Sequence, residues 1–350
     1  GPMPSKHKSS ASVITVDEAV GKVLAHDITE IRPGQFKGPA FKKGQVIRSE
    51  DVEHLKRLGK EHLYVLEIAD HEMHEDEAAL RLAAALAGPG IRFDGRPAEG
   101  KIALTAAHRG LLKVNVEALV AFNLVPDVTC ASRHSNTLVE EGAVVAATRA
   151  IPLIVESGSV ERASAVARGC GGVFSVLETA SPDVGIVVTG NEVYTGRIED
   201  KFAPILKQKT AAFGCRLLEI RFVPDDRGRI SEAIRGHLES GAGLVIVAGG
   251  MSVDPDDVSR LGISDAGGTD LVYGTPVLPG AMFLCGRVGD VPVLGVPACV
   301  LFYRATVLDL LLPRVLAGER INRQDLAAMA HGGLCLTCET CRYPVCPFGK

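Results

Sequence analysis

Two stretches of this chain end in residues of the kind that handle anions. Val184-Gly-Ile-Val-Val-Thr-Gly-Asn-Glu192 runs into a hydroxyl, a glycine, an amide and a carboxylate, at Thr189, Gly190, Asn191 and Glu192. Leu244-Val-Ile-Val-Ala-Gly-Gly-Met-Ser-Val-Asp-Pro-Asp-Asp257 breaks in the same manner, at Gly249, Gly250, Met251, Ser252 and Asp257. Paired glycines let the backbone approach an anion closely, and Thr189 or Ser252 can donate to it. Glu192 and Asp257 are hard oxygen donors of the type that hold magnesium beside phosphate. Reactions of phosphoryl groups need mainly positioning and charge neutralisation. The bland alternatives are a strand-end cap for Glu192 and a helix N-terminal residue for Asp257.

A third group closes the chain: Cys335, Cys338, Cys341 and Cys346, spaced C-x2-C-x2-C-x4-C and followed by Pro347. That spacing lies one residue from the run that holds iron–sulfur clusters in bacterial ferredoxins, which favours such a cluster. Zinc is the alternative, although zinc sites more often use two Cys pairs separated by a longer spacer. A tail without metal is the structural alternative. Cys130, Cys170, Cys215, Cys285 and Cys299 are scattered in apolar or Gly-rich surroundings and read as reduced core or pocket residues. Cys299 could also serve as a soft ligand beside the pocket. No secretory signal opens the chain, so the expectation is a reducing cytoplasm.

The elements that must position these groups alternate regularly. Residues 184–189 and 244–248 are short, apolar and β-branched on successive positions, as in strands buried on both faces. Between them lie a helix around 200–213, a strand at 215–223, the turn Pro224-Asp-Asp-Arg-Gly228 and a helix at 229–239. The alternation predicts a parallel sheet with helices on both faces. Ligands of such sheets bind beyond the carboxyl ends of the strands, so the two stretches predict one mouth of one pocket. Further strands are expected at 271–284 and 291–296, then an apolar helix over 301–316. No Gly-x-Gly-x-x-Gly follows a strand, which removes a dinucleotide-binding Rossmann reading.

Upstream, residues 13–70 predict a small α+β module, with a helix from Ser49 as N-cap and a strand at 63–66. An alanine-rich helix spans 74–88. His74, Glu75 and Glu77 could bind metal at its start, but a solvated helix terminus is the better reading. Short strands at 101–105, 110–115, 127–132, 142–146 and 152–155 predict a compact, barrel-like unit, and residues 160–176 a helix giving way to the flexible break Gly169-Cys-Gly-Gly172. Arg109, Lys113, Arg133, His134, Asn136 and Arg149 fall at its turns and could line a groove or simply face solvent. The full division is 1–12 as a protease scar (Gly1-Pro2) and disordered arm, 13–72, 73–176, 177–322 and 323–350.

The 350 residues suffice for two or three domains, and the net charge is −4, so nothing global points to nucleic acid or to an anionic membrane. No apolar run reaches the roughly 20 residues of a membrane span.

The third domain resembles the molybdopterin-binding domain shared by molybdopterin adenylyltransferases and molybdenum insertases. The resemblance rests on Thr189-Gly-Asn-Glu192, Gly196-Arg-Ile198, Pro224-Asp-Asp226, Gly249-Gly-Met-Ser252 with Asp257, Val277-Leu-Pro-Gly280 and Val293-Leu-Gly-Val-Pro297, in order over about 140 residues. It implies a three-layer α/β/α domain and a pocket for molybdopterin or adenylylated molybdopterin. Glu192 and Asp257 would stand where pterin and magnesium meet, with Asp226, Pro279, Gly280 and Pro297 among the pocket residues. Several positions depart from the pattern. The acidic residue usual before the glutamate is Asn191, the glycine usual after Ser-Val is Asp254, and the basic residue of the Pro-Gly-Lys-Pro loop is Ala281. The insertases' Pro-rich Met-Asp-Gly-Tyr segment is absent. Binding survives these changes more readily than catalysis. The resemblance therefore implies either insertase-like metal insertion with AMP release, molybdate being a substrate, or a non-catalytic carrier or sensor that serves a molybdoenzyme. It also implies a homodimer.

Overall fold

The computed structural model describes residues 11–32, 36–250 and 257–350. It divides into two compact units, one of Gly1–Ala107, Val114–Arg133 and Glu141–Ser175, the other of His108–Lys113, His134–Glu140 and Val176–Lys350.

The second unit is built on a six-stranded sheet. Its strands are β1 (Val184–Thr189), β2 (Leu217–Val223), β3 (Leu244–Ala248), β4 (Gly268–Tyr273), β5 (Leu284–Val288) and β6 (Val291–Val296), in the order β2-β1-β3-β6-β5-β4. β1 runs parallel to both β2 and β3, and β3 is parallel to β6; β5 is antiparallel to both its neighbours. The mostly parallel α/β sheet that the alternation predicts is present. Every residue of β1 and β3 is buried, and successive side chains feed opposite layers. Ile186, Val188, Ile246 and Ala248 pack in one core, with Leu206 and Leu308. Val187, Val245 and Val247 pack in the other, with Ile230, Ile234 and Ile263. The helices are α1 (Asn191–Tyr194), α2 (Phe202–Ala211), α3 (Arg227–Glu239), α4 (Val258–Asp265), α5 (Val307–Leu316) and α6 (Arg323–Ala328). The first core thus lies under α2 and α5, the second under α3 and α4, giving three layers. At the sheet's edge β4 is irregular: its pairing with β5 shifts register between Thr269 and Val272, and Asp270 has φ of 53°.

The apolar stretch 301–316 is not one helix. A 3-10 turn occupies Ala298–Leu301, and α5 starts only at Val307, because Thr306 and Asp309 close a capping box there.

In the first unit, Ala11–Thr15, His62–Leu66 and Val23–Leu24 form a small sheet over the helix Asp51–Arg57. Ser49 does not cap that helix. The N-cap is Glu50, already in helical geometry, and Asp51 Oδ2 accepts the Arg48 N–H at 2.8 Å instead. The alanine-rich helix spans Glu75–Leu86, and His74 caps it by accepting the Asp76 N–H at 3.1 Å. Its buried face packs on an open antiparallel sheet of Val128–Ser132, Val144–Ala150, Lys101–Ala106 and Ile91–Phe93, in that order, rather than on a closed barrel. A helix at Val116–Asn123 was not expected from the sequence; Asn115 caps it through its side chain. The helix expected from residue 160 up to the break at Gly169-Cys-Gly-Gly172 is present as Ser157–Gly169, starting three residues earlier. Among the described residues no helix is long and apolar enough to cross a membrane.

Candidate functional site

The site residues gather where β1, β2, β3 and β6 end, because parallel strands deliver their carboxyl ends to one side of the sheet. Thr189 closes β1, 5% exposed, and its hydroxyl donates to Asp225 Oδ1 at 3.1 Å and to the Pro224 carbonyl at 3.2 Å. Gly190 follows with φ of 148°, and Asn191 begins α1. The Asn191 N–H donates to Asp225 Oδ2 at 3.4 Å, and the Asp225 N–H donates back to Asn191 Oδ1 at 3.0 Å. Asp225 is therefore the residue that ties the end of β2 to the end of β1. As a sequence it looked like an ordinary turn; the available signal was a carboxylate directly after Pro224, where a parallel strand gives out.

Glycine is required at the end of β3. Gly249 has φ of 89°, and a Cβ on it would stand 2.5 Å from the Thr189 carbonyl oxygen; one on Gly250 would stand 2.3 Å from Ser259 Oγ. Ser259 in turn donates to the Gly249 carbonyl at 2.9 Å. Met251 and Ser252 lie outside the described residues. Asp257 is 7% exposed and caps α4, its Oδ1 accepting the N–H of Ser259 at 2.9 Å and of Arg260 at 3.4 Å. Asp226 likewise caps α3, its Oδ1 taking the Arg229 N–H at 2.8 Å. Both carboxylates thus serve helix termini.

Glu192 differs. It is exposed, its carbonyl accepts the Arg197 N–H at 2.8 Å, and its carboxylate has no partner among the described residues. Beside it, the Tyr194 hydroxyl accepts from Arg229 Nη2 at 3.4 Å, and the guanidinium lies 5.7 Å from the ring centre. Pro279 follows a cis peptide, and its carbonyl accepts the Val307 N–H at 3.1 Å; Gly280 leaves no room for a side chain against Val307. Pro297 is buried and starts the 3-10 turn that carries Cys299, whose thiol burial pushes up in pKa. The exposed face of that loop is Phe302, at 78%.

Among the described residues no three His, Cys, Asp or Glu side chains form a group that could hold a metal ion. Cys335, Cys338, Cys341 and Cys346, expected to hold an iron–sulfur cluster or zinc, are therefore not gathered into one such group among the described residues, and Glu192 and Asp257 are not joined there by a third such ligand. Cys335, Cys341 and Cys346 turn toward the apolar core of the unit, while Cys338 is exposed. The tail is a fixed part of the fold. The Leu278 N–H donates to the Gly333 carbonyl at 2.9 Å, and the Cys335 N–H donates to the Leu278 carbonyl at 2.8 Å. Arg304 Nη1 donates to the Cys341 carbonyl at 3.1 Å, and Phe348 is 2% exposed. The cysteine segment therefore grips the Pro279 loop and the loop after Pro297.

Residues 185–317 match the family described as "Probable molybdopterin binding domain", and residues 13–67 match a domain of unknown function, DUF8806. A CinA-like protein of Mycobacterium leprae (strain TN) is 34% identical over 79 residues, 23% of this chain and 18% of that protein. A CinA-like protein of Mycobacterium tuberculosis (strain ATCC 25177 / H37Ra) is 32% identical over 92 residues, 26% of this chain and 21% of that protein. The chain thus spans about a fifth of the length of these curated relatives. Among solved structures, the molybdopterin biosynthesis enzyme MoaB of a Thermus is matched at TM-score 0.33 and 18% identity, over 39% of this chain and 98% of that one. The molybdopterin biosynthesis Mog protein of Mycobacterium ulcerans is matched at TM-score 0.33 and 21% identity, over 38% and 93%.

Proposed function

We propose, from the match of residues 185–317 to the family described as "Probable molybdopterin binding domain", that the protein binds molybdopterin, or its adenylylated form, at the ends of β1 and β3 and acts in molybdenum cofactor biosynthesis. The observation that carries this reading is the glycine-lined end of β3 lying against Thr189, with Asn191, two residues on, locked to Asp225. Such a floor admits an anion close to the backbone and offers it fixed dipoles. The pterin is the ligand, and molybdate enters as substrate.

In the insertase-like form of the proposal, water adds to one phosphorus of the phosphoanhydride of adenylylated molybdopterin as the bridging P–O bond breaks. AMP is released, the molybdopterin phosphate is left, and molybdate enters as the metal substrate. Glu192, exposed and with no partner for its carboxylate among the described residues, is the carboxylate placed to act on the bound ligand. One observation favours the second reading, a carrier or sensor that delivers cofactor to a molybdoenzyme: Asp257 already caps α4 and has less capacity for chemistry. Dimerisation and a cytoplasmic location are extensions of either form.

Incubation with adenylylated molybdopterin, molybdate and magnesium separates them. AMP release that disappears in Glu192→Ala supports the enzyme. Tight pterin binding without AMP supports the carrier. Absence of binding overturns both.

A further inference from the structure

A hollow on the solvent side of the first unit's four-stranded sheet has no part in the reading above. Ile91–Phe93 pairs with Lys101–Ala106 so that Arg92 faces Thr105, and the Thr105 hydroxyl donates to the Arg92 carbonyl at 3.2 Å. Alternation along Lys101–Ala106 buries Ile102 and Leu104 and turns Lys101, Ala103 and Thr105 outward. The hollow has a volume of ≈ 490 Å³, within the roughly 300–1,000 Å³ of small-molecule sites. Its floor is the small side chains of Ala103 and Thr105, and its walls include Arg92, Arg96 and Lys101.

The charge around it is one-sided. Asp94 is the single carboxylate of the lining, and its Oδ1 accepts the Arg96 N–H at 3.1 Å in a local turn. Arg92 shares its charge with Glu141 at 3.4 Å. Arg96 and Lys101 make no ion pair among the described residues. Three cations around one concavity, in a chain of net charge −4, repel one another and raise the local potential for anions. An inorganic phosphate occupies a small part of such a volume, so the complementary ligand has an organic body as well.

We propose that this hollow binds an organic phosphate, a phosphate or diphosphate ester, through Arg92, Arg96 and Lys101, with the organic body lying on Ala103 and Thr105. Arg gives the bidentate contact that phosphate oxygens match, and Lys gives a point charge. The proposal is independent of the pterin site, which lies in the other unit.

The test titrates the full chain with AMP, with adenosine as the uncharged control and pyrophosphate as the anion lacking an organic body. Backbone amide shifts locate binding and calorimetry gives Kd, at low and at physiological salt. AMP is expected to shift amides within residues 91–106 while adenosine does not, with binding weakened by salt. Arg96→Ala and Lys101→Ala are each expected to raise Kd about fivefold, and Arg96→Lys less, without change in thermal stability because both positions are exposed. Adenosine binding as tightly as AMP, AMP shifts confined to residues 184–303, or an Arg96→Ala/Lys101→Ala chain with unaltered Kd each overturns it. Pyrophosphate binding without AMP binding overturns the assignment of an organic body.

Discussion

Asn191 and Asp225 exchange two hydrogen bonds across the ends of β1 and β2: the Asp225 N–H reaches Asn191 Oδ1 at 3.0 Å, and the Asn191 N–H reaches Asp225 Oδ2 at 3.4 Å. An amide side chain suits this exchange because its oxygen accepts without adding charge beside the Asp225 carboxylate. Asn191→Asp is therefore expected to set two carboxylates against each other and destabilise the protein by about 1 kcal/mol at neutral pH. The loss should shrink as either acid is protonated. Thermal melts of both proteins across the acid range check this; an equal difference at every pH would sink the explanation.

Gly249 has φ of 89° and no room for a Cβ against the Thr189 carbonyl. Gly249→Ala combines backbone strain with a steric clash and is expected to cost roughly 2–4 kcal/mol. Gly190→Ala meets open space and carries only the strain of its φ of 148°. Denaturant unfolding of the pair should therefore rank Gly249→Ala as the more destabilised.

His237 lies on α3, 1% exposed, with Nε2 at 3.0 Å from the Ile186 carbonyl. Burial holds its pKa below the ordinary 6.5, although the hydrogen bond to Ile186 pulls the other way. The unfolded chain then takes up a proton that the folded chain resists, so acid favours unfolding. This contribution to stability is complete above the ordinary value of 6.5 and declines as pH falls beneath it, until the depressed folded value is reached. His237→Gln should flatten that part of the stability-against-pH curve. An unchanged slope would falsify the assignment.

Phe348 packs in the core beneath α5, 2% exposed, with its ring 6.1 Å from that of Tyr343. Phe348→Ala is expected to cost about 3–5 kcal/mol, as for other fully buried aromatics. Val345→Ala, at a position 84% exposed, should change stability by less than about 0.5 kcal/mol. Melting both variants distinguishes a packed tail from an attached one.

How much of this was readable beforehand depends on what each residue answers to. β1, β3 and β6 were legible because a strand buried on both faces must be apolar at every position, and Val184–Val188, Leu244–Ala248 and Val291–Val296 are. Their shared carboxyl end follows from parallel order, so the placing of Thr189, Gly190 and Gly249 was legible too. The helix Val116–Asn123 was not. Val116 and Val120 are 59% and 55% exposed and Leu124, just past its end, is 78% exposed, so no polar face marks a period of 3.6 residues. Nor was the service of Asp257 and Asp226 as caps separable from a pocket role, since the same carboxylate chemistry suits both. The cysteine spacing gave ligand types in order, but convergence of side chains depends on packing against β- and α-layers distant in the chain. Asp225 escaped for the same reason, its partners being 34 and 36 residues away.

The irregular outer strand has a bearing on how the molecule behaves in a crowded solution. A straight terminal strand offers a row of vacant amides and carbonyls on which a neighbouring chain can build a continuous ribbon. The register slip between Thr269 and Val272, together with the left-handed backbone of Asp270, breaks that row and sets a charge in it. Self-association by sheet extension is discouraged there, and replacing Asp270 with a β-branched apolar residue would remove the charge that guards it.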